Sequence, residues 1–377
     1  MDDRARCGQL VVGPAGCGTL SSGVIDTVEL NTSIRFDLSG RYLLAFGIRV
    51  IQRSASSVQI GTEAPRRIVI ADAPPEAARL LAELDGVRTA AEVIEANHAD
   101  PQVWTRLLAQ LASAELLVTG ESIDRVGAAL PPAHLIDEAA GLSHRYGHSG
   151  AARIMQARGD ALVVIRGDSA VAAATATMLA AAGIGHLHLE PVRAGRSLYA
   201  GIVPDAARRP ISPRRAPDLA TTLRERFPTL RVHPPAAHQH PTVVVLVGAF
   251  APDLGHAATL SRSRIAHLAA AAGVARAVIG PLVLPGRSSC LSCAHRHRVA
   301  ADPDWPMVAR QLADLVPSAP AQLTAAAACL TAGEVLHYVD GAQLPSTVNG
   351  TLEWRPGDIG ARRRSWTIHP ECGCTPF

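Results

Sequence analysis

The segment that decides the fold reads ALVVIRGDSAVAAATATMLAAAGIGHLHLE and spans residues 161–190. Its first five residues form a continuous apolar run, which is typical of a strand buried on both faces of a parallel sheet. A glycine-containing turn follows, and then a small-residue helix over 170–182 that Gly183 ends. Residues 184–190 predict a second strand. Together these elements predict one βαβ unit, the building block of a Rossmann-like α/β domain.

The α/β pattern continues to the C-terminus, so this domain is expected to cover 161–377. An exposed loop rich in Arg and Pro is predicted over 204–217. Further strands are predicted over 243–247, 274–279, 348–354 and 363–368, and helices over 261–272 and 322–338.

A separate small domain is predicted over 51–120. Thr89 and Glu92 stand at capping-box spacing and predict the start of a helix that ends near Asn97. Around it the pattern predicts a hairpin over 57–61 and 67–71, a helix from Pro75, a helix over 101–114 and a strand over 116–118. This order of elements predicts a winged-helix-like domain.

The remaining segments predict less regular structure. Residues 121–160 are expected to form a linker with one weak helix. Residues 1–50 show no sustained period and are interpreted as an unstructured tail or a wrongly assigned N-terminal extension, with Val50 as an alternative start.

Composition restricts the function. No run of 18 or more apolar residues occurs and no signal peptide is recognisable, so a cytoplasmic protein without a membrane span is expected. The net charge of +3 is too small to argue for nucleic acid by itself. All 36 basic residues are arginine, because the chain contains no lysine. A mechanism that needs a lysine ammonium on a phosphate is therefore excluded.

Four of the seven cysteines form two tight pairs. Cys290 and Cys293 make a C-x2-C knuckle, and Cys372 and Cys374 make a C-x-C pair. Thiolates at these spacings can share one Zn²⁺, and four sulfur ligands leave no position for water, so a structural zinc site is predicted. His369 is the reserve ligand. Unbound thiols, or two unrelated pairs, remain the alternative.

The other candidate functional residues give weaker indications of a site. Cys329 lies in an apolar helix and is expected to be a buried thiol. His295 and His297 are interpreted as part of a solvated basic turn. Trp305 is expected to pack against the zinc lobe.

The turn after the first strand is a poor nucleotide loop. A working loop would read Gly-x-Gly-x-x-Gly, but only Gly167 is present, and Asp168 puts negative charge where phosphate would lie. Glu190 ends the next strand, where an acid could bind ribose. Gly167 and Glu190 therefore mark a degenerate nucleotide site, and ATP binding is not expected.

Residues 161–377 resemble the ThiF-like, ubiquitin-activating-type superfamily of adenylyltransferases. The resemblance rests on the strand–turn–helix over 161–189, the strand over 243–247 and the two cysteine pairs. More specifically, GPLVLPGRSSCLSC over 280–293, DPDWP over 302–306 and HPECGC over 369–374 resemble cyclodehydratase-type partner proteins of thiazole/oxazole-modified peptide biosynthesis.

This resemblance implies a role that does not require ATP hydrolysis. In that branch the ThiF-like protein grips the leader peptide of a precursor and presents it to a YcaO-type enzyme. Strand addition beside an apolar helix is a suitable physical mode. Candidate contact residues are Ile68, Val69 and Ile70 on a sheet edge, with Leu107 and Leu111 behind them. The alternative is that these residues are merely core. The superfamily also implies a homodimer.

Three functions remain open. The first is a non-catalytic leader-binding scaffold for peptide cyclodehydration. The second is an ATP-dependent adenylyltransferase acting on a peptide or carrier-protein C-terminus. The third, a winged-helix DNA-binding regulator, is disfavoured because residues 89–97 contain no basic residue and 101–114 only Arg106.

Overall fold

A computed structural model of the chain divides it into two compact units, Met1–Met155 and Gln156–Phe377. The structure describes residues 10–12, 36–45, 47–63, 66–120, 132–167, 169–191, 196–197, 219–236, 238–248, 250–313, 315–316 and 318–374. The predicted loop over 204–217 and most of the predicted tail over 1–50 lie outside them.

The first unit contains two small sheets. A four-stranded sheet has the order β1-β5-β4-β3, and a three-stranded antiparallel sheet has the order β6-β2-β7. The strands are β1 (Leu10–Val12), β2 (Arg41–Leu44), β3 (Val50–Ser54), β4 (Ser57–Ile60), β5 (Ile68–Ala71), β6 (Asp85–Thr89) and β7 (Leu117–Thr119).

Among the described residues, the helices α1 (Ala77–Ala82), α2 (Ala90–Ala96) and α3 (Pro101–Ser113) contribute side chains to the main core of this unit. The capping box of α2 is present as predicted: the Thr89 side chain accepts from the Glu92 amide, and Glu92 accepts from the Thr89 amide. Trp104 of α3 is fully buried in the core cluster, and its indole N–H donates to Glu76 over 3.0 Å.

The predicted domain start at residue 51 differs from the structure. Strand β2 lies between β6 and β7 in the three-stranded sheet, and Tyr42 is buried. Phe36 and Leu38 pack against the same core. Residues 36–49 therefore belong to the folded unit, although their irregular spacing of apolar residues gives no period from which this could be predicted.

A long helix, α4 (Ile136–Asp160), follows a short 3₁₀ turn at Ala133–Leu135. It occupies much of the segment that was expected to be a linker. Gly147 interrupts it with a φ of 76° and a ψ of 169°, so two helical pieces meet there at a kink. Residues 121–131 of the expected linker are outside the described part of the chain.

The second unit is built on an eight-stranded sheet with the order β11-β9-β8-β12-β13-β14-β16-β17. Neighbours from β11 to β13 are parallel, and those from β13 to β17 are antiparallel. The strands are β8 (Leu162–Arg166), β9 (His186–Glu190), β11 (Arg231–Val232), β12 (Val243–Val247), β13 (His267–Ala272), β14 (Ala277–Val283), β16 (Gly350–Trp354) and β17 (Arg362–Ser365), with β10 (Arg196–Ser197) and β15 (Leu315–Val316) paired apart from them.

Six helices belong to this unit among the described residues: α5 (Ala170–Ala181), α6 (Leu219–Arg226), α7 (Leu254–Arg262), α8 (Leu291–Ala301), α9 (Trp305–Ala313) and α10 (Ala321–Asp340). The mostly parallel sheet with its crossover helix α5 has the predicted Rossmann-like α/β architecture. No helix among the described residues combines the length and the apolar character that crossing a bilayer would require.

The predicted helix over 261–272 is wrong. The helix here is α7, which begins after Asp253 and ends at Arg262, and His267–Ala272 is the strand β13. All six residues of β13 are buried because the strand lies between β12 and β14. Alanine favours helix in isolation, but burial in the middle of a sheet overrides that preference.

Candidate metal centre and nucleotide position

Two separated segments of the chain bring the four predicted cysteines together. Cys290 is the N-cap residue of α8, and Cys293 lies in the first turn of that helix. Cys372 and Cys374 lie near the C-terminus, where Gly373 has a φ of 63°. This left-handed conformation suits glycine and lets the two neighbouring thiols turn toward one point.

The four sulfur atoms lie close enough together to hold one metal ion. All four Sγ atoms lie within 4.8 Å of one another. The Sγ atoms of Cys290 and Cys293 are 3.8 Å apart, those of Cys290 and Cys372 are 3.5 Å apart, and those of Cys293 and Cys374 are 3.4 Å apart. Zn–S bonds of about 2.3 Å in a tetrahedron place neighbouring sulfurs about 3.8 Å apart. The donor set therefore suits a metal ion.

The surroundings of the thiols differ. Burial raises the pKa of Cys372, and it raises the pKa of Cys374 to about 12. Burial acts in the same direction on Cys293, but hydrogen bonds from the backbone at His369 and Cys290 and from neighbouring thiols lower its pKa overall. Because a metal ion binds the thiolate forms, the raised pKa values of Cys372 and Cys374 oppose metal binding, and a bound cation would favour the thiolates.

His369 is outside this ligand set. Among the described residues, the group close enough to share an ion consists of the four cysteines. The Nδ1 atom of His369 accepts a hydrogen bond from the Glu371 amide over 3.2 Å. The reserve-ligand role is therefore unnecessary for this site, and a sulfur-only set leaves no open coordination position for catalysis.

The expected burial of Cys329 is wrong. This cysteine is exposed on α10, although the helix is apolar. Ala327 and Thr331, two positions before and after it and so on the opposite face of α10, are fully buried. A helix that covers a sheet leaves one face outside, and an apolar sequence alone does not say which residues face outward.

The two residues predicted to mark a degenerate nucleotide site, Gly167 and Glu190, lie at the carboxyl ends of β8 and β9. In open parallel sheets, ligands bind at such ends, where the chain order of the strands reverses. Here Arg166, the last residue of β8, forms an ion pair with Glu190, the last residue of β9. The Gly167 amide donates to the Glu190 carbonyl over 2.9 Å. Asp168 is outside the described residues.

The glycine at this position is explained by packing. Gly167 has a φ of 145°, and a Cβ atom there would meet the carbonyl oxygen of Val247 on the neighbouring strand β12. Any side chain would thus disturb the sheet. The single glycine of the degenerate loop is required by the close approach of two strands, whether or not a phosphate ever lies above it.

Asp253, the nearest acid after β12, caps a helix. Its carboxylate accepts hydrogen bonds from the amides of Gly255 and His256, over 2.9 and 3.1 Å, and thereby starts α7. Its N-cap role, followed by apolar Leu254, was the signal that could have located α7.

The candidate peptide contacts lie inside the first unit. Strand β5 pairs with β4 on one side and with β1 on the other, so Ile68, Val69 and Ile70 are in an inner strand and are buried. Leu107 and Leu111 of α3 are buried in the same core. The outer strand on the far side of this sheet is β3, and all but the first of its residues are exposed.

A cavity beside the cysteine cluster was not foreseen. It has a volume of about 500 Å³ and is formed by the start of α7, one face of α8 and the segment before Cys372. His295 lies on its wall and accepts a hydrogen bond from the Trp305 indole over 3.2 Å. Trp305 was expected to pack against the zinc lobe, and it does so by contacting His295 directly. His295 itself was interpreted as solvated.

Some solved structures of known proteins share this architecture. No protein-family model and no curated protein matches the chain. Among solved structures, E. coli MccB with ATP superposes with a TM-score of 0.55 at 14% identity, covering 89% of this chain and 99% of MccB. The microcin C7 biosynthetic enzyme MccB in complex with N-formylated MccA gives a TM-score of 0.53 at 14% identity, with the same coverage.

A heterocyclase in complex with substrate and cofactor gives a TM-score of 0.56 at 12% identity. The match covers 89% of this chain but 39% of the heterocyclase chain, so the present chain corresponds to only a part of that protein. The fold of this chain is therefore the ThiF-like, ubiquitin-activating-type fold of MccB, which confirms the predicted resemblance at the level of architecture.

Proposed function

We propose that this protein is a ThiF-like scaffold that binds the leader peptide of a precursor and presents it to a YcaO-type cyclodehydratase. The observation that carries the proposal is the Arg166–Glu190 ion pair at the position where a working member of the fold would bind nucleotide. The likeness to a heterocyclase complex and to MccB–MccA complexes supports a role in peptide modification.

The ion pair acts against nucleotide binding in two ways. A carboxylate that accepts from an internal guanidinium has fewer acceptor positions for the hydroxyls of a ribose. Displacing Arg166 from Glu190 would also cost a charge-assisted hydrogen bond, worth about 1.5–3 kcal/mol where it is shielded from solvent and less here, because both side chains are about a third exposed. With one glycine in the loop and no lysine in the chain, little compensates for that loss.

Peptide binding by strand addition suits the first unit. Strand β3 presents an exposed sheet edge, whose amide and carbonyl groups are available for pairing. At the candidate residues Ile68, Val69 and Ile70, a leader would have to take the place that β1 holds beside β5. Leu107 and Leu111 would support the sheet from behind as core residues.

The remaining parts of the proposal concern the assembly. The zinc ion is structural, held by Cys290, Cys293, Cys372 and Cys374, and it ties the C-terminus to α8. We place the protein in the cytoplasm, where unpaired thiols persist, and we propose that it is a homodimer. The first unit acts as a winged-helix-like peptide-recognition domain.

Nucleotide binding provides the first test. Calorimetric titration of the purified protein with MgATP should give no heat of binding, and ATP–pyrophosphate exchange should stay at background. E. coli MccB, of which a crystal structure with ATP exists, is the matched positive control. Exchange above background by this protein would contradict the scaffold role.

Peptide binding provides the second test. Peptides selected from a random library on the full chain should protect backbone amides of the first unit from hydrogen exchange, at β3 or at β5. Protection limited to the second unit would contradict recognition by the small sheets.

An ATP-dependent adenylyltransferase acting on a peptide or carrier-protein C-terminus is the second candidate. It is favoured by the fold shared with MccB, a biosynthetic enzyme whose crystal structures include one with ATP. The same exchange assay distinguishes the two functions, because adenylation requires release of pyrophosphate.

A further inference from the structure

The cavity beside the cysteine cluster is lined by both apolar residues and residues with hydrogen-bond donors. Leu254 of α7 and Val299 of α8 contribute apolar surface. His295 and Arg296 of α8 and His369 from the C-terminal segment contribute donors. None of these side chains belongs to the metal ligand set or to the nucleotide position.

The hydrogen bonds of His295 decide which ring nitrogen carries its proton. The Trp305 indole N–H can only donate, and it donates to His295 Nδ1 over 3.2 Å. Nδ1 is therefore an acceptor, and Nε2 carries the hydrogen. Trp305 is itself held in place, because the Arg298 guanidinium lies 5.4 Å from the centre of its ring.

His369 is fixed in the same way by the backbone. The Glu371 amide donates to His369 Nδ1 over 3.2 Å, so Nε2 of this ring also carries the hydrogen. Both imidazoles on the cavity wall thus offer an Nε2–H donor. Because these two residues and Arg296 line the same cavity, their N–H groups form a donor set for the oxygens of an anion.

A carboxylate of the chain already lies beside Arg296, one of these donors. Arg296 and Glu371 form an ion pair of 3.4 Å, in which their side chains are 44% and 76% exposed. That distance is longer than the 2.7–2.9 Å of a good charge-assisted bond, and exposed pairs contribute little. Glu371 therefore shows which chemical group fits beside Arg296, but it is held weakly enough to be replaced.

We propose that this cavity binds an acidic side chain of a peptide, with the carboxylate on His295, Arg296 and His369 and a neighbouring apolar residue against Leu254 and Val299. The bound carboxylate takes the place of Glu371 at Arg296. This inference rests on the proposed function in one respect: that function identifies the molecule bearing the acidic side chain as a peptide. It gives the second unit its own contact with that peptide, apart from the sheet edges of the first unit.

The test uses the full-length, zinc-loaded protein with isotope-labelled imidazole nitrogens. The probe is N-acetyl-Leu-Glu-amide, and its matched control is N-acetyl-Leu-Gln-amide, which has the same shape without the charge. We expect the glutamate probe to shift the ring signals of His295 and His369 and to saturate at about 10 mM or below, and the glutamine probe to leave them in place. The variants His295→Gln and His369→Gln assign the two signals.

Two substitutions separate binding from a merely structural role. Arg296→Gln should weaken binding of the glutamate probe about tenfold, because a charged donor is lost. Glu371→Gln should tighten it, because the competing carboxylate is gone. A structural role would give the same sign for both variants, since each breaks the same ion pair. Zinc content is measured in each variant to confirm that the lobe is intact.

Three results would overturn the proposal: no shift of the two histidine signals at about 10 mM probe, equal shifts with both probes, or the same direction of change in Arg296→Gln and Glu371→Gln. Failure here is distinguishable from failure of the leader-binding scaffold. Amide protection of β3 or β5 by selected peptides would persist if only this cavity were wrongly assigned.

Discussion

Cys290 and Cys329 are the same side chain in opposite surroundings. Cys290 is 8% exposed and its sulfur lies 3.5 Å from that of Cys372, whereas Cys329 is exposed on α10 and belongs to no group of ligands among the described residues. The pair therefore offers a matched test of the metal site, because Cys→Ser changes the same atom at both positions.

For Cys290→Ser we expect zinc to fall from about one ion per chain toward none, because a hydroxyl is a poor substitute for thiolate. The second unit should lose at least about 3 kcal/mol of stability, because a structural metal contributes its binding energy to folding. Cys329→Ser should retain zinc and change stability by no more than about 0.5 kcal/mol. Elemental analysis and thermal unfolding measure both. Unchanged melting of Cys290→Ser would refute a structural zinc site.

A buried ion pair provides a second residue-scale prediction. Arg158 of α4 donates to both oxygens of Asp340 at the end of α10, over 2.7 and 2.8 Å, and both side chains are about 95% buried. Arg158 also donates to the Ala182 carbonyl over 2.9 Å. Asp340→Asn should cost about 3–5 kcal/mol of unfolding free energy, because a buried guanidinium loses its carboxylate.

The pair Arg362–Asp358, at 3.0 Å, is the control, because the Arg362 side chain is 76% exposed, although that of Asp358 is only 17% exposed. Asp358→Asn should cost no more than about 1 kcal/mol, since solvent screens the charges of such a pair. Urea denaturation of the full chain would measure the change in unfolding free energy for both substitutions. Equal effects of the two substitutions would contradict a dominant role of burial.

At the scale of elements, α2 starts where the sequence says it should. Thr89 Oγ1 accepts from the Glu92 amide over 3.2 Å, and Glu92 accepts from the Thr89 amide over 2.7 Å. Glu92 also accepts from the Thr89 hydroxyl, and these two hydrogen bonds, the backbone one first, lower the pKa of Glu92. Because a capping box involves residues only three positions apart, it can be recognised from the local sequence alone.

Thr89→Ala should therefore destabilise the first unit by about 1 kcal/mol, through loss of the N-cap. The control is Thr105→Ala inside α3, where the hydroxyl only donates back to the Pro101 carbonyl. Alanine should be neutral or slightly stabilising there. Hydrogen exchange of the α2 amides measures both changes, and a Thr105→Ala effect as large as that of Thr89→Ala would argue against the cap.

The strand β13 shows where the local sequence fails to predict secondary structure. His267-Leu-Ala-Ala-Ala-Ala272 has the composition of a helix, and only its place between β12 and β14 makes it a strand. By contrast β8 and β12 are rich in β-branched residues and were located within one residue. Prediction succeeded where side-chain preference and burial agree and failed where they oppose each other.

At the scale of the whole molecule, the predictable features depend on short spacing in the chain or on specific chemistry. The βαβ unit is continuous in sequence, and the two cysteine pairs are recognisable across 79 positions (372 minus 293) because thiolates at such spacings are typical zinc ligands. Contacts between distant residues without such chemistry were not predictable. The Arg166–Glu190 pair, the place of β1 beside β5 and the Trp305–His295 bond all depend on sheet order and helix packing.

Each unit has its own core. Trp104 lies in the cluster of the first unit, whereas Cys290, Cys293 and their neighbours form a cluster of the second. The main cluster of the second unit extends from Ala161 to Val348, so it shares no residue with the first. Because the two units have separate cores, we expect removal of the metal to lower the stability of one unit and not that of the other.

Treatment of the full chain with a strong chelator should therefore lower the melting temperature of one calorimetric transition and leave the other in place. Indole signals assign them, because Trp104 reports on the first unit and Trp305 and Trp366 lie near the cysteine cluster in the second. Added zinc should restore the lowered transition, which excludes chemical damage by the chelator. If chelation lowered the Trp104 transition equally, the metal would support both units, and the structural role assigned to the four thiols would extend beyond the lobe that they close.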